Sequence, residues 1–333
     1  MTAPQDEAPP SISRFSLPPP PAPTDDGAWF DRLLRGPFEA EPCTGIAAFY
    51  TRLETADRDA PEGSVERAAI GGFLADRLGY AFVAGYRAAL VRLVPELSRG
   101  SLCATESGGG HPRFIRTTLT EAPGGGFTLH GTKTFATLAS AATTLLVVAS
   151  TGEGEDGRNR LQVAAIPRER AGVVVRDKTP LPFAPEISHA EVQLENVAVA
   201  PEEVLLGDGY ADVLKPFRTY EDTGVMAATL GHLVRLGGLL RFPRAQREEA
   251  LATLLALRGV ASHDPRAPST HLVLAGVQAT LERLVNEANL RNADPDTQIR
   301  WDRDRPLLQV AASIRQKRRE VAWAAYLRDD DEP

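Results

Sequence analysis

The sequence predicts an α+β protein in which a helical N-terminal domain, a middle antiparallel β domain and a C-terminal helical bundle follow one another. Three observations predict this order. Apolar residues recur every three or four positions between residues 29 and 100. From 101 to about 204 glycine and threonine rise and short β-prone runs replace that spacing. After Gly209 the helical spacing returns. The expected domains are therefore 27–100, 101–207 and 208–333, preceded by a Pro-rich leader over 1–26.

The leader contains the run Pro18-Pro19-Pro20-Pro21 and little apolar material to offset the entropy of ordering it, so it is expected to be disordered. The first helical unit is clearest over 68–97, where Ile70, Phe73, Leu74, Leu78, Phe82, Tyr86, Leu90, Leu93 and Leu97 share the helical period. Strands are expected at 127–130, 143–150, 161–166, 173–176 and 190–197. Turn signals separate them, including Pro123-Gly124-Gly125-Gly126 and the glycine-rich stretch 152–157. Helices are expected at 225–240, 244–257, 271–290 and 306–327, with breakers at 262–269 and 291–298. In the last helix Arg315, Lys317, Arg318 and Arg319 read as a solvated basic face or a phosphate site. Its stripe of Leu307, Leu308, Ala311, Ile314, Val321 and Ala325 reads as the buried side.

Composition excludes several classes of function. The 333 residues carry 37 basic and 44 acidic side chains, a net charge of −7 that disfavours nucleic acid as the main ligand. The longest apolar runs, such as 145–149, fall far short of the roughly 20 residues of a membrane span. No secretory signal opens the chain, and two cysteines make no disulfide framework, so a cytoplasmic location is the default expectation. No Cys or His cluster has metal-ligand spacing, and the triple glycine precedes a hairpin rather than a strand-to-helix turn, so it is no dinucleotide fingerprint.

The chemistry is carried by the stretch 95–136 and by several segments downstream of it. In order come Thr105-Glu106, Gly108-Gly109-Gly110, Thr117-Thr118 and Gly131-Thr132-Lys133-Thr134-Phe135-Ala136-Thr137. Further on lie Ala190-Glu191-Val192-Gln193-Leu194-Glu195-Asn196-Val197, Pro201, Leu205-Leu206-Gly207 and then Ala227, Ala228, Leu230 and Gly231. Together these resemble the acyl-CoA dehydrogenases, over roughly 95–240. The family has Thr-Glu, a glycine-rich turn, a hairpin and Gly-x-Lys-x-Trp-x-Thr in this order.

The resemblance implies an oxidoreductase with non-covalent FAD between the β domain and the C-terminal helices. Its substrate would be an acyl thioester, acyl-CoA or acyl-carrier protein, oxidised to the α,β-unsaturated product. Thr105 would meet the polar edge of the flavin, Phe135 would cover its face in place of tryptophan, and Thr137 would approach its reactive nitrogen. Cys103, beside Thr105, and His111, where the family has serine, complete the candidate cofactor-binding set. On sequence alone Phe135 is equally a core residue, and Thr105 and Thr137 equally ordinary strand threonines.

The reaction needs a carboxylate to take the α-proton. The chain ends without the family's Gly-Gly-x-Gly-Tyr segment, beside which the commoner base lies. The family's other placement, ten residues before the helix glycine, counts back from Gly231 to Glu221, which becomes the candidate catalytic base at the start of the first C-terminal helix. Three departures matter: His111-Pro112 for Ser-Asp, Asp222 for an arginine, and the early end. They leave open a degenerate partner subunit of a heteromeric dehydrogenase, or a flavin-free enzyme that eliminates or rearranges a thioester. A homo-oligomer, or a hetero-oligomer with a related subunit, is implied by the resemblance.

Overall fold

The structure, a computed structural model, describes residues 28–58 and 63–327; the Pro-rich leader lies outside them. Four helices come first: α1 (Ala28–Arg35), α2 (Ile46–Asp57), α3 (Ser64–Leu74) and α4 (Leu78–Leu93). The apolar period that runs through 68–97 is shared by α3 and α4, which are separated by Ala75, Asp76 and Arg77.

Seven strands follow: β1 (Gly100–Cys103), β2 (Thr118–Glu121), β3 (Phe127–Thr137), β4 (Thr144–Glu153), β5 (Asn159–Pro167), β6 (Val173–Asp177) and β7 (His189–Val199). They form one sheet in the order β1-β4-β2-β3-β7-β6, with β5 paired to β4. Antiparallel pairing dominates as expected, but β1 runs parallel to β4, Gly100 opposite Thr144 through Cys103 opposite Val147. The arriving chain thus adds to the sheet without a hairpin. Alternation along β4 sends Leu145, Val147 and Ala149 into the sheet's own core and Leu146 and Val148 into the helical core.

The C-terminal helices are α5 (Lys215–Leu239), α6 (Arg244–Ala261), α7 (Pro268–Glu287), α8 (Pro295–Asp304) and α9 (Ala312–Ala324). Helix α5 begins ten residues before the expected 225, and a wide helical turn, Gly209–Leu214, leads into it. The polar run that hides this start in the sequence is accommodated inside the fold. Thr219 donates to the Pro265 carbonyl at 2.8 Å and Thr223 to the Thr219 carbonyl at 2.7 Å, both within the helix's buried side. Helix α8 is not expected from the sequence, because Asp294 and Pro295 read as breakers. They are an N-cap, with Asp294 accepting from the Thr297 N–H at 3.0 Å, and a first-turn proline.

Helix α5 packs against α3 and α4 with backbones in contact. A Cβ on Gly231 would stand 2.0 Å from the Ala69 carbonyl oxygen, and one on Gly224 would stand 2.4 Å from that of Gly85. These approaches fix the axial position of α5, and with it Glu221, three residues before Gly224. In α9 the expected sidedness is reversed in part. Arg315 and Arg318 turn inward to Asp222, while Ile314 and Val321 are exposed. The reason is electrostatic: a buried carboxylate on α5 requires counter-charge, and these guanidinium groups supply it.

Candidate active site

The site begins with a distortion in β3. Lys133 pairs with Val192 but Ala136 with Ala190, so Thr134 and Phe135 together face the single residue Glu191. Regular alternation from Lys133 would carry Phe135 and Thr137 into the sheet interior. The bulge returns Ala136 there instead and turns Phe135 and Thr137 toward the helices.

There they line a largely apolar cleft of about 240 Å³. Its other walls are Phe82 of α4, His189 of β7, the loop residues Leu181, Phe183 and Ile187, Glu221, Asp222, Val225 and Met226 of α5, Gln278 and Leu281 of α7, the 307–311 segment and Arg315 of α9. Phe135 is 39% exposed into this space. The structure therefore brings Glu221, Phe135 and Thr137 to one cavity.

Glu221 is half-buried in the second turn of α5 rather than at its first residues, so the helix terminus is not what places it. Among the described residues nothing donates a hydrogen bond to its carboxylate. Desolvation first, and then the negative charge of Asp222, push its pKa up to about 7 against the opposing pull of Arg218, Arg318 and Arg315. Asp222, by contrast, is held by Arg315 at 3.5 Å and by Arg318. Two adjacent carboxylates thus have opposite situations: one is neutralised by arginines, the other is left free to take a proton near neutral pH.

Glu106 and Lys133, from the two strongest motif segments, have an architectural task. Lys133 is fully buried and its Nζ lies 2.7 Å from Glu106 Oε1, while also donating to the Val148 carbonyl. Glu106 accepts further from the Arg116 N–H at 2.7 Å, the Thr117 N–H at 3.0 Å and the Thr117 hydroxyl at 2.8 Å. Desolvation works against the carboxylate, but Lys133 and these donors outweigh it and hold its pKa below the ordinary value.

Thr105 stands beside Phe135 in an isolated antiparallel bridge and takes the Thr134 N–H on its carbonyl at 2.8 Å. Cys103 is displaced from the candidate set. Its side chain is fully buried in the sheet core, 3.8 Å from the Ser101 hydroxyl, and burial pushes the thiol up to about 11. Alternation along β1 points it away from the apolar cleft.

His111 lies in a second, polar cleft of about 1230 Å³ between the 111–118 segment, the 150–160 hairpin and the wide turn before α5. Its Nδ1 accepts from the Arg113 N–H at 3.3 Å. Sequence reasoning misses the cations around it: Arg113, Arg116, Arg158, Arg160 and Lys215. Arg113 and Lys215 lie over the rings of Phe114 and Tyr210, and Arg116 and Arg160 form no ion pair among the described residues. The cleft also holds Glu153, Glu155, Asp156 and Asp208, of which Asp156 and Asp208 accept from local backbone N–H groups. Arg113 and Arg116, in the Pro112-Arg113-Phe114-Ile115-Arg116 run after the glycine turn, are the visible signal.

These residues fit a flavin on the chemistry of the donors present. An aromatic face exposed on a strand, a threonine two residues on and an apolar cavity suit a flat conjugated ring. Cations without carboxylate partners suit its phosphates. Phe135 and Thr137 would hold the ring, while His111, Arg113 and Arg116 would meet the phosphate end. The chain itself joins the two places, from Thr105 at Phe135 through the Glu106–Gly109 bridge to His111. No cluster of metal-ligating side chains occurs among the described residues, and no helix there is long and apolar enough to cross a membrane.

Comparison with known proteins supports the fold. Residues 101–197 match the family model for the acyl-CoA dehydrogenase middle domain. No curated protein matches the chain in sequence. Among solved structures, butyryl-CoA dehydrogenase from Megasphaera elsdenii superposes with a TM-score of 0.64 at 15% identity, covering 90% of this chain and 95% of that one. FMN-bound TdsC from Paenibacillus sp. A11-2 gives 0.62 at 18% identity, covering 79% and 84%. The prolyl acyl carrier protein oxidase AnaB gives 0.62 at 15% identity, covering 84% and 90%. Residues 101–197 are thus an acyl-CoA dehydrogenase middle domain, set in a chain that has the acyl-CoA dehydrogenase fold.

Proposed function

We propose that this protein is a flavin-dependent dehydrogenase that introduces an α,β double bond into an acyl thioester, with Glu221 as its base and FAD as its cofactor. The observation that carries the reading is the meeting of Glu221, raised to about 7 with no hydrogen bond among the described residues, with Phe135 and Thr137 in one apolar cleft. A carboxylate of that basicity is half-ionised at neutral pH, as removal of a weakly acidic C–H requires. When bound, flavin supplies the two-electron acceptor.

The chain's own residues do the rest. The cleft walls exclude water from the acyl chain. Glu221 takes the proton from the carbon next to the thioester carbonyl, and the Asp222–Arg315–Arg318 cluster beside it, of which Asp222 and Arg315 also line the cleft, keeps the neighbouring charge compensated. The thioester is carried on CoA or on a carrier protein, and the fold neighbours include enzymes named for each. A homo-oligomer in the cytoplasm, with domains 27–100, 101–207 and 208–333, completes the reading; the two buried, unpaired cysteines suit a reducing compartment.

The test is the absorption spectrum of the purified protein before and after FAD is added, followed by anaerobic addition of acyl thioesters. Bound flavin that bleaches with an acyl thioester supports the reading. Absence of flavin bands together with no binding of FAD at micromolar concentration overturns it.

A further inference from the structure

His189 opens β7, belongs to no sequence motif and lines the same cleft as Glu221. Its imidazole lies against the ring of Phe135 with centroids 4.2 Å apart and planes inclined by 21°. Its Nδ1 stands 3.4 Å from the Thr137 hydroxyl, and His189 and Thr137 are direct partners across the β3–β7 pairing. One side chain therefore touches both of the residues that would bear on a flavin ring.

Each contact removes a specific freedom. Phe135 sits at a bulge and is open to the cleft on one side, so its ring plane is set by whatever packs on the other. The ring stacked there is His189. The Thr137 hydroxyl can rotate to donate or accept, and the tautomer of its imidazole neighbour selects between them. If Nδ1 carries the proton, Thr137 is left able to donate into the cleft; if Nδ1 is bare, it draws the hydroxyl proton to itself.

We propose that His189 is a positioning residue of this site, fixing the ring plane of Phe135 and the orientation of the Thr137 hydroxyl toward a bound flavin. The inference rests on the flavin reading above. Desolvation lowers the imidazole pKa below its ordinary value, which keeps the ring neutral and able to stack as a flat uncharged surface. No proton or electron passes through His189 in this role.

The experiment titrates the wild type, His189→Ala and His189→Phe with FAD, following flavin fluorescence and the visible spectrum, with circular dichroism to check folding. His189→Ala is expected to weaken FAD binding by roughly fivefold, the scale of one lost aromatic pair, and to move the visible bands. His189→Phe keeps the stack but not the polar contact, so it should recover the affinity and keep the moved bands. Wild-type affinity and spectrum in His189→Ala, with the wild type binding FAD, overturn the role of His189 alone. If the alanine variant does not fold, a wild-type spectrum in His189→Phe overturns the hydroxyl role. A wild type that takes up no FAD overturns the flavin reading and this inference with it.

Discussion

Lys133 and Glu106 meet at 2.7 Å inside the β domain, where the lysine has no exposed surface and the glutamate is 6% exposed. The ion pair ties the strand carrying Phe135 to the turn carrying His111, so two motif segments are joined by one contact. Lys133→Met leaves a buried carboxylate without its counter-charge and should cost roughly 3–5 kcal/mol in urea unfolding. Adding Glu106→Gln removes the stranded charge and keeps an acceptor for Arg116 and Thr117, so the double variant should recover part of the loss. If the single and double variants are equally destabilised, the charge is not the cause.

Glu221 should control both rate and stability. Turnover is expected to rise with pH through about 7 and level off above it. Glu221→Gln should lower turnover by roughly 10²–10⁴-fold while leaving flavin binding intact. The folded carboxyl titrates above its unfolded value, so between about pH 4.5 and 7 the folded state binds more protons and stability falls as pH rises. Glu221→Gln should therefore be more stable than the wild type at pH 8, on the order of 1–3 kcal/mol, with the difference gone below about pH 4.5. Urea melts at both pH values check the sign.

Asp222 raises the Glu221 carboxyl, whereas Arg315 and Arg318 lower it. Asp222→Asn deletes the first influence and leaves both arginines unneutralised. The pH–rate profile should move to lower pH, and α9, whose inward contacts depend on that carboxylate, should be cut faster by trypsin. A profile that moves to higher pH would contradict the electrostatic arrangement.

Glycines in the helices divide into two groups that a melting experiment can separate. Gly224→Ala places a methyl against the Gly85 backbone, and Gly231→Ala places one against Ala69, so each should destabilise by roughly 1–3 kcal/mol or more. Gly224 lies three residues from Glu221, so its variant should also lose activity beyond its loss of stability. Gly276→Ala, in the interior of α7 with nothing within 4 Å, should instead stabilise by about 0.5–1 kcal/mol.

The order of helices, strands and helices is readable because periodicity is a local property, and the motif spacing points to Glu221, Phe135 and Thr137. Other features are not readable. His189 and the cation cleft are assembled from segments far apart in the chain, such as Arg113, Arg160 and Lys215, and no spacing rule links them. Helix α8 escapes because aspartate and proline open helices as well as break them. Cys103 is packed in the sheet core, which the sequence does not reveal because β1 ends at Cys103 and the period of two does not carry on to Thr105. The basic run in α9 reads as solvated because Asp222, the residue that turns Arg315 and Arg318 inward, lies some ninety positions earlier.

The bulge at Thr134 and Phe135 makes the number of residues between Lys133 and Thr137 matter as much as their identities. Inserting one residue beside Glu191 in β7 would give Thr134 and Phe135 a partner each, restore regular alternation and turn the aromatic ring inward beside the lysine, erasing the cleft wall without changing any side chain on the helices. Comparison of related chains should therefore treat an insertion opposite this short span as a loss-of-function mark, even where every flanking residue is kept.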